Sequence, residues 1–396
     1  MLMINFLDIR SFFWSMRKIS KILLITPIDP FLRNGVSNYV KKLVNYLDSE
    51  FLKFEILSFT NKVDKPFYLV KKNIKIYYYP LTKKNSLLYQ FRCAIYTLKF
   101  LLRYGSRYDL YHIHTYANSS SLISIIISKF KKKKSILTFH GIRTIFHERY
   151  PFKAYADKFL RLIFGYIESH LAEKIVSVSK PDINKILFHF KPGKNKKIFY
   201  IQNGLVLESK KYNHKINNEE FITFIGELSY YKGFDFFLEI AKYLKRFKPN
   251  AKFLVVGKPS KDKELFQKLA QNKDDLDISY IKSIENIKKI FKNTVIYLLL
   301  SRSEGMSTTL LESMKYEVPI IATDINSNSY LIKDGYNGFL ISTKDINKAL
   351  KKIKLLLEDQ NLRKNFINHS KKVLDKYFDW RIVIEKYKEL YLNLLD

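Results

Sequence analysis

The segment VIYLLLSRSEGMSTTLLESM, residues 295–314, joins six apolar or aromatic residues to a short polar loop and then to a helical pattern. An apolar run without alternation is typical of a strand that is buried on both faces of a parallel sheet. The loop that follows carries glycine and hydroxyl side chains, which favour a helix N-terminus with free backbone N–H groups. The segment therefore predicts a strand–loop–helix unit of an α/β protein with an anion-binding turn.

Two carboxylates flank this turn, because Glu304 stands just before the predicted helix and Glu312 lies two turns inside it. At about 100° per residue, a helix would place side chains eight positions apart roughly 80° from one another, so that one binding site could use both. The alternative is that Glu304 caps the helix and Glu312 is an exposed helical residue. A carboxylate beside a buried strand needs a partner, which favours the binding site.

The alternation of strands and helices continues in both directions along the chain. In the first half, strands are predicted at 21–26, 54–58, 74–79, 110–114, 135–140 and 174–178. In the second half, they are predicted at 198–201, 221–225, 252–256, 278–281, 295–300, 319–322 and 338–341. Two series of similar length predict two doubly wound, Rossmann-like α/β domains that face one another across a cleft.

The Pro-, Gly- and Lys-containing segment KPGKNKK, 191–197, is the clearest connector between the two series. It predicts a first domain at 19–195 and a second domain at 196–378, followed by a helical tail at 379–396. Residues 1–18 precede the first strand as an N-terminal extension. They form a poor signal peptide, and an interfacial anchor and an upstream start codon remain alternatives.

Composition limits the class of protein and its partners. The chain has 396 residues, 47% of them hydrophobic, and its single cysteine, Cys93, excludes an internal disulfide framework. The net charge of +33 predicts an anionic partner, which could be nucleic acid, acidic lipid or a phosphorylated substrate. The segment 87–102 carries too many polar residues to span a bilayer, and its pattern fits either an amphipathic helix on an anionic membrane or a helix packed on a sheet.

Two further strand-to-helix turns contain residues suited to a phosphate. Gly35 opens a helix after the first strand, and a glycine there lets backbone N–H groups approach an anion. Gly226 follows the strand 221–225, and Lys232 lies at the mouth of the next helix, where an ammonium group can hold a diphosphate. On chemistry alone, an ordinary helix start and a solvated lysine explain these two turns as well.

Three histidines and an acidic triplet complete the candidates. His112 and His114 alternate on a strand and so face the same side, but no cysteine or carboxylate completes a zinc site, and no metal is predicted. His140 ends the next strand, at the edge where active sites of open α/β sheets lie. The triplet Asp275-Leu276-Asp277 has the form of a metal-binding DxD string, but its acidic turn predicts a solvent-facing position.

Taken in order, these segments resemble one family, the retaining group 1 (family 4, glycogen-synthase-like) glycosyltransferases with the GT-B fold. The strongest element is the E-x7-E spacing of Glu304 and Glu312, and the resemblance runs over roughly 19–395. Further family-like segments are NGVSNYV (34–40), YDLYHIHTY (108–116), LTFHG (137–141), FIGELSYYKGFDFFLE (224–239), VPIIATDI (318–325) and DGYNGFLI (334–341). The resemblance implies that the last helix crosses back onto the first domain.

The resemblance also implies roles for the site residues. Glu312 would hold the ribose of a nucleotide-sugar donor, Glu304 would contact the donor sugar, and His140 would line the sugar pocket. The diphosphate would be bound by Lys232, by Gly226 and Gly35 at their turns, and by the amides of Gly305, Met306 and Ser307. Many family members have Arg where this chain has Glu227, and Gly where it has Asn34.

By the same resemblance, we expect a retaining, metal-independent transferase without a cofactor. It would move a hexose from a UDP- or GDP-linked sugar to a glycan or lipid-linked acceptor in bacterial surface polysaccharide synthesis. The expected location is cytoplasmic, on the inner face of the membrane, where the anionic surface would be a partner. The alternatives are an inactive GT-B protein that binds nucleotide or glycan, suggested by Glu227, and a basic nucleic-acid-binding protein, which the spread of the lysines disfavours.

Overall fold

The computed structural model describes residues 19–26, 35–49, 51–60, 65–71, 74–80, 87–142, 151–193, 198–207, 221–260, 263–283 and 286–395. The predicted N-terminal extension, 1–18, and Asn34 lie outside this description. Two sheets of eight and six strands organise the described residues. None of the described helices combines the length and hydropathy needed to span a bilayer.

The first sheet has the strand order β3-β4-β2-β1-β5-β6-β7-β8. Its strands are β1 Ser20–Ile25, β2 Leu52–Thr60, β3 Phe67–Lys71, β4 Ile74–Pro80, β5 Leu110–His114, β6 Lys134–Phe139, β7 Lys174–Ser177 and β8 Ile198–Tyr200. The helices that follow them are α1 Gly35–Leu47, α2 Leu87–Tyr104, α3 Ser119–Phe130, α4 Pro151–Leu171 and α5 Lys180–Phe190, with a 3₁₀ turn at Gly105–Arg107. All pairings are parallel except β3 with β4.

The second sheet is parallel throughout, in the order β11-β10-β9-β12-β13-β14. Its strands are β9 Phe221–Ile225, β10 Lys252–Val256, β11 Ile278–Ile281, β12 Thr294–Leu299, β13 Ile320–Thr323 and β14 Phe339–Ile341. The helices are α6 Phe234–Phe247, α7 Glu264–Asn272, α8 Ile287–Lys292, α9 Thr308–Lys315, α10 Asn326–Ser329, α11 Ile346–Glu358, α12 Gln360–Tyr377 and α13 Trp380–Leu395. A 3₁₀ turn, Tyr230–Lys232, precedes α6.

Two strands differ from the sequence prediction. Ile198–Tyr200 was predicted in the second domain, but it pairs with Lys174–Ser177 as the last strand of the first sheet. Its short apolar pattern predicts a strand, but it does not indicate which sheet the strand joins. Phe67–Lys71 was not predicted, because it is an antiparallel edge strand whose residues are all exposed and lack an alternating pattern.

The last helix, α13, returns to the first domain, as predicted. Trp380, Tyr387 and Tyr391 are buried in one core with α1 and the strands of the first sheet. The hydroxyl of Tyr39 on α1 donates to the hydroxyl of Tyr387, 2.8 Å away. The chain segments that cross between the domains also bind each other, since Trp380 N donates to Leu205 O and Leu205 N donates to Phe378 O, both at 2.8 Å.

We expect this crossing to contribute strongly to stability. Trp380 is 1% exposed, so Trp380→Ala should lower the free energy of unfolding by about 3–5 kcal/mol, as large-to-small changes in a core do. Tyr377, 48% exposed on the preceding helix, provides the control, and Tyr377→Ala should change stability by less than about 0.5 kcal/mol. Urea unfolding of both variants measures the difference, and equal losses would contradict a buried crossing.

Candidate active site

The loop between β12 and α9 places the two predicted carboxylates. Helix α9 begins at Thr308, and Ser307 is its N-cap, because the Ser307 Oγ accepts from Leu310 N at 3.3 Å. Glu304 therefore lies outside the helix and does not cap it, and Glu312 is only the fifth helical residue. The angle of roughly 80° assumed one continuous helix and does not apply.

Glu304 is bound by groups from two strand ends. Its Oε1 lies 2.5 Å from Lys232 Nζ and accepts a hydrogen bond from Ser301 Oγ at 2.7 Å. The side chain of Glu304 is mostly buried, so this is a partly desolvated ion pair with a second hydrogen bond to the carboxylate. The structure thus brings together the carboxylate and the ammonium group that the sequence predicted would share a site.

A glycine next to Lys232 lets the turn that carries the lysine pack against the end of β12. Gly233 adopts φ +73°, and a Cβ there would lie 2.0 Å from Leu300 O, so only glycine lets this turn meet the β12 end. On the other side, a Cβ at Gly226 would stand 3.6 Å from Lys232 Cγ, in ordinary contact. The turn predicted as a phosphate site therefore packs along the stem of the lysine.

Glu227, the position where the family resemblance implies an arginine, is exposed. A nearby arginine, Arg302, does not take its place. Both terminal nitrogens of Arg302 bind Asp235 at 2.7 Å, and its guanidinium lies 3.7 Å from the centre of the Tyr230 ring. Both terminal nitrogens of the Arg302 guanidinium are therefore engaged away from Glu304, and the cation that contacts Glu304 is Lys232.

The backbone from Gly305 to Ser307 forms the turn that was predicted to bind an anion, before the N-cap of α9 is complete. In the described part of the chain, no acceptor faces the N–H groups of these three residues, although Asn203 Nδ2 donates to Met306 O at 3.2 Å. At the same turn the two domains touch, because a Cβ at Gly305 would lie 2.5 Å from His140 O and 2.7 Å from Gly141 Cα. This contact places His140 next to the Glu304 loop.

Glu312 lies farther along α9 in a poorly solvated position. Burial raises its pKa to about 7, against the opposing effect of the Lys42 and Lys315 charges. Lys42 comes from α1 of the other domain, and its Nζ donates to Gly204 O at 3.4 Å and lies 5.5 Å from the centre of the Trp380 ring. Burial lowers the pKa of Lys42, while the Glu312 carboxylate raises it.

Lys42 was not predicted as a site residue. The only sequence feature that could have indicated a role for Lys42 is its position seven residues after Gly35. This spacing puts the two residues on the same face of the helix, two turns apart. Gly35 itself is exposed at the start of α1, and a Cβ there would meet no described atom within 4 Å. The described residues therefore give Gly35 no contact with the Glu304 and Lys232 pair.

The histidines lie at the first-domain side of the cleft. His112 and His114 share one face of β5, as predicted, with ring centres 4.0 Å apart. Burial lowers the pKa of His140 to about 3, so its imidazole is neutral at physiological pH.

No group of three or more His, Cys, Asp or Glu side chains among the described residues could hold a metal ion. Asp275 and Asp277 are exposed, as predicted for the acidic turn.

Two facing Rossmann-like domains, with Lys232, Glu304 and Glu312 in the part of the second domain that the structure describes, define a protein of the GT-B type. The family model described as "Glycosyltransferase Family 4" matches residues 33–209, and the model described as "Glycosyl transferases group 1" matches residues 207–373. The two matches together run across both domains, and the chain belongs to this glycosyltransferase family.

Individual proteins agree with this assignment. An uncharacterized glycosyltransferase of Methanocaldococcus jannaschii is 27% identical over 96% of this chain and 100% of its own. The Escherichia coli UDP-Gal:alpha-D-GlcNAc-diphosphoundecaprenol alpha-1,3-galactosyltransferase is 24% identical over 82% of this chain and 85% of its own. Sucrose-phosphate synthase from Thermosynechococcus elongatus superposes with a TM-score of 0.76 at 15% identity, over 95% of this chain and 99% of its own, and has the same GT-B fold.

The burial of Glu312 should cost stability. Between pH 4.5 and pH 7 the folded protein holds a proton at Glu312 that the unfolded chain loses, so the penalty grows as pH rises and is complete above pH 7. Glu312→Gln should therefore be more stable than the wild-type protein near pH 8, by at most about 3 kcal/mol, and the gain should shrink near pH 5. Urea unfolding at both pH values measures the gain.

The exposed carboxylate of Glu385 on α13 supplies the control for this measurement. Glu385→Gln should change stability little and by the same amount at both pH values, because that side chain stays solvated. A Glu312→Gln protein that is less stable than wild type near pH 8 would show that the carboxylate is well satisfied where it lies.

Proposed function

We propose that the chain transfers a hexose, with retention of configuration, from a nucleotide-diphosphate sugar to a glycan or lipid-linked acceptor. The observation that carries the proposal is the pair of Lys232 and Glu304, held beside the free amides of 305–307 where the two domains meet. This arrangement offers positive charge for a diphosphate and a carboxylate for the sugar attached to it.

The donor would lie mainly on the second domain. Lys232, the turn at Gly226 and the amides of Gly305, Met306 and Ser307 would bind the diphosphate, because a helix N-terminus and a cation both favour an anion. Gly35 would bring the first domain's helix to the same diphosphate. Glu312 would accept hydrogen bonds from the ribose hydroxyls, and a carboxylate that is poorly satisfied without a ligand gains two donors on binding.

The chemistry follows from the charges that develop when the bond to the anomeric carbon breaks. Negative charge grows on the leaving diphosphate, where Lys232 and the amides stabilise it, and positive charge grows on the sugar ring, which the Glu304 carboxylate stabilises. Because these groups supply the charge, we propose that no metal or other cofactor is required. The acceptor hydroxyl would enter on the face from which the diphosphate leaves, which retains the configuration.

The setting of the reaction is also a proposal. We propose a UDP- or GDP-linked donor and a lipid-linked acceptor. The Escherichia coli relative is named as acting on a diphosphoundecaprenol-linked sugar with UDP-Gal, which supports the lipid-linked acceptor and, of the two donors, the UDP-linked one. We place the protein in bacterial surface polysaccharide synthesis, on the cytoplasmic face of the membrane. Glu227 favours one other candidate, an inactive protein that binds nucleotide or glycan only, because the second diphosphate cation is lost.

The test of the transferase is release of nucleoside diphosphate from a panel of UDP- and GDP-sugars, with lipid-linked glycans as acceptors. Lys232→Gln should lower kcat/KM on the order of 100-fold or more, the usual cost of losing one preorganised charge-stabilising group. Lys245 is the matched control, since it is also partly buried, lies 3.8 Å from the carboxylate of Asp277 and belongs to the same domain. Lys245→Gln should leave kcat/KM within a factor of about 3.

Two further measurements test retention of configuration and independence of metal ions. Proton NMR of the product should show the donor's anomeric configuration, and EDTA should leave the rate unchanged. Inverted product or loss of the rate in EDTA would contradict retention or metal independence, respectively. Tight nucleotide binding without turnover of any sugar in the panel would favour the inactive protein.

Membrane contact is supported by one face of the first domain. Helices α2, α3, α4 and α5 lie side by side there, and each exposes large apolar side chains to solvent. The longest stripe is on α4 and contains Phe159, Leu160, Ile163 and Tyr166. Basic side chains belong to the same domain, among them the run 131–134 that follows α3, where Lys131 Nζ donates to Ser106 Oγ just after α2 at 3.0 Å. We propose that this face, rather than α2 alone, rests on an anionic lipid surface.

Flotation with liposomes measures this contact. The double variant Phe159→Ser with Ile163→Ser should bind anionic vesicles at least about 10-fold more weakly than wild type, since each buried aromatic or aliphatic side chain contributes about 1.5–3 kcal/mol. Phe247→Ser is the matched control, because Phe247 is 77% exposed but lies on α6 of the second domain. Equal binding by the double variant, the control and wild type would rule out this face.

A further inference from the structure

Three histidine rings lie next to one another in the first domain: His140 at the cleft, then His114, then His112. His140, partly exposed, has its Nε2 3.1 Å from Nδ1 of His114, which is fully buried. The ring of Tyr39 packs edge-on against His140, with centres 5.0 Å apart. The position of the His140 ring therefore depends on a hydrogen bond to a second imidazole.

This hydrogen bond joins two neutral rings. Burial lowers the pKa of His140 to about 3 and that of His114 well below its usual range, and the neighbouring imidazoles lower the pKa of His114 further. Two neutral imidazoles carry one N–H each, so one ring donates across the 3.1 Å contact and the other accepts. Which ring donates determines what the other nitrogen of His140 presents to the cleft.

The surroundings of His114 distinguish the two arrangements. Its Nε2 is buried and has no hydrogen-bond partner among the described residues. If His140 donated, the proton of His114 would lie on this Nε2 and would be a buried N–H without an acceptor. Such groups are rarer in proteins than buried acceptors without a donor, because the unpaired N–H loses its whole interaction with water.

The opposite arrangement leaves no buried N–H without an acceptor. His114 then carries its proton on Nδ1 and donates it to Nε2 of His140. The proton of His140 lies on Nδ1, a nitrogen of a partly exposed ring that makes no hydrogen bond to the described residues. That N–H is open to solvent or to a ligand in the cleft.

The neighbouring His112 does not compete for this role. Its Nδ1 lies 2.7 Å from the hydroxyl of Tyr391, and its Nε2 lies 2.7 Å from Oγ1 of Thr138. Both nitrogens are engaged, and both partners are hydroxyl groups that can donate or accept. His112 is therefore equally buried on the same strand face but lacks a contact with the Nε2 of His140.

We infer that His114 is a positioning residue that fixes His140 as an Nδ1–H donor toward the sugar of the bound donor substrate. The identity of the ligand rests on the proposed function, whereas the proton positions are properties of the free protein. A fixed N–H donor requires an oxygen acceptor on the sugar, so the site should discriminate against a deoxy sugar that lacks that oxygen.

The direct test is long-range ¹H–¹⁵N NMR of the free protein with ¹⁵N-labelled histidine. The His140 signals are assigned by their loss in His140→Gln. We expect the proton of His140 on Nδ1 and the proton of His114 also on Nδ1. A proton on Nε2 of His140 would overturn the inference, and this result does not depend on turnover of any sugar.

Kinetic variants test the positioning. His114→Leu should lower kcat/KM by about 10-fold, as loss of one oriented hydrogen bond does, and should give His140 a mixture of both neutral forms. His114→Asn, which keeps a polar group near the Nδ1 position, should recover part of the rate. The matched control His112→Leu should leave both the rate and the His140 form unchanged.

The two proposals fail separately. If no sugar is transferred but His140 carries its proton on Nδ1, the proposed function and the sugar as ligand fail, whereas the fixing of the His140 proton by His114 stands. If transfer is normal and His114→Leu changes neither the rate nor the His140 form, the positioning role is overturned while the transferase remains.

Discussion

The site depends on the close approach of two backbones at Gly141 and Gly305. A Cβ at Gly305 would overlap with His140 O, and a Cβ at Gly141, whose φ is +135°, would stand 3.0 Å from Gly305 Cα. Any other residue type at Gly305 would require one of the two backbones to shift. Since His140 directly precedes Gly141 and Glu304 directly precedes Gly305, the contact brings side chains of both domains together.

Around this contact, the charged groups differ in how well they are satisfied. Glu304 has an ammonium partner at 2.5 Å and a hydroxyl partner at 2.7 Å, whereas burial alone raises the pKa of Glu312 to about 7. A site that is fully satisfied without its ligand gains little when the ligand arrives. The difference therefore suits a division in which Glu304 is preorganised and Glu312 gains its hydrogen bonds from the ligand.

Much of the fold could be predicted from the sequence, because buried parallel strands such as Phe221–Ile225 are short apolar runs between polar turns. The assignment of Ile198–Tyr200 to a sheet could not, since strand pairing is a long-range property. In the site, Lys232 and Glu304 were predicted from strand-end positions and from the family resemblance. No role was predicted for Lys42 or Arg302. The partners of a charged side chain are determined by how distant segments pack in the folded chain.

The C-terminal helix connects the architecture to the chemistry. Tyr387 and Tyr391 of α13 pack against the ring of His112, and Tyr387 also bonds to Tyr39, whose ring lies against His140. Residues that follow the whole second domain thus form one wall of the histidine cluster in the first domain. The segment of Phe378 and Trp380, which pairs with Leu205, joins this wall to the second domain. The same short stretch of backbone therefore connects the domain that carries Lys232 and Glu304 to the helix that encloses the histidines.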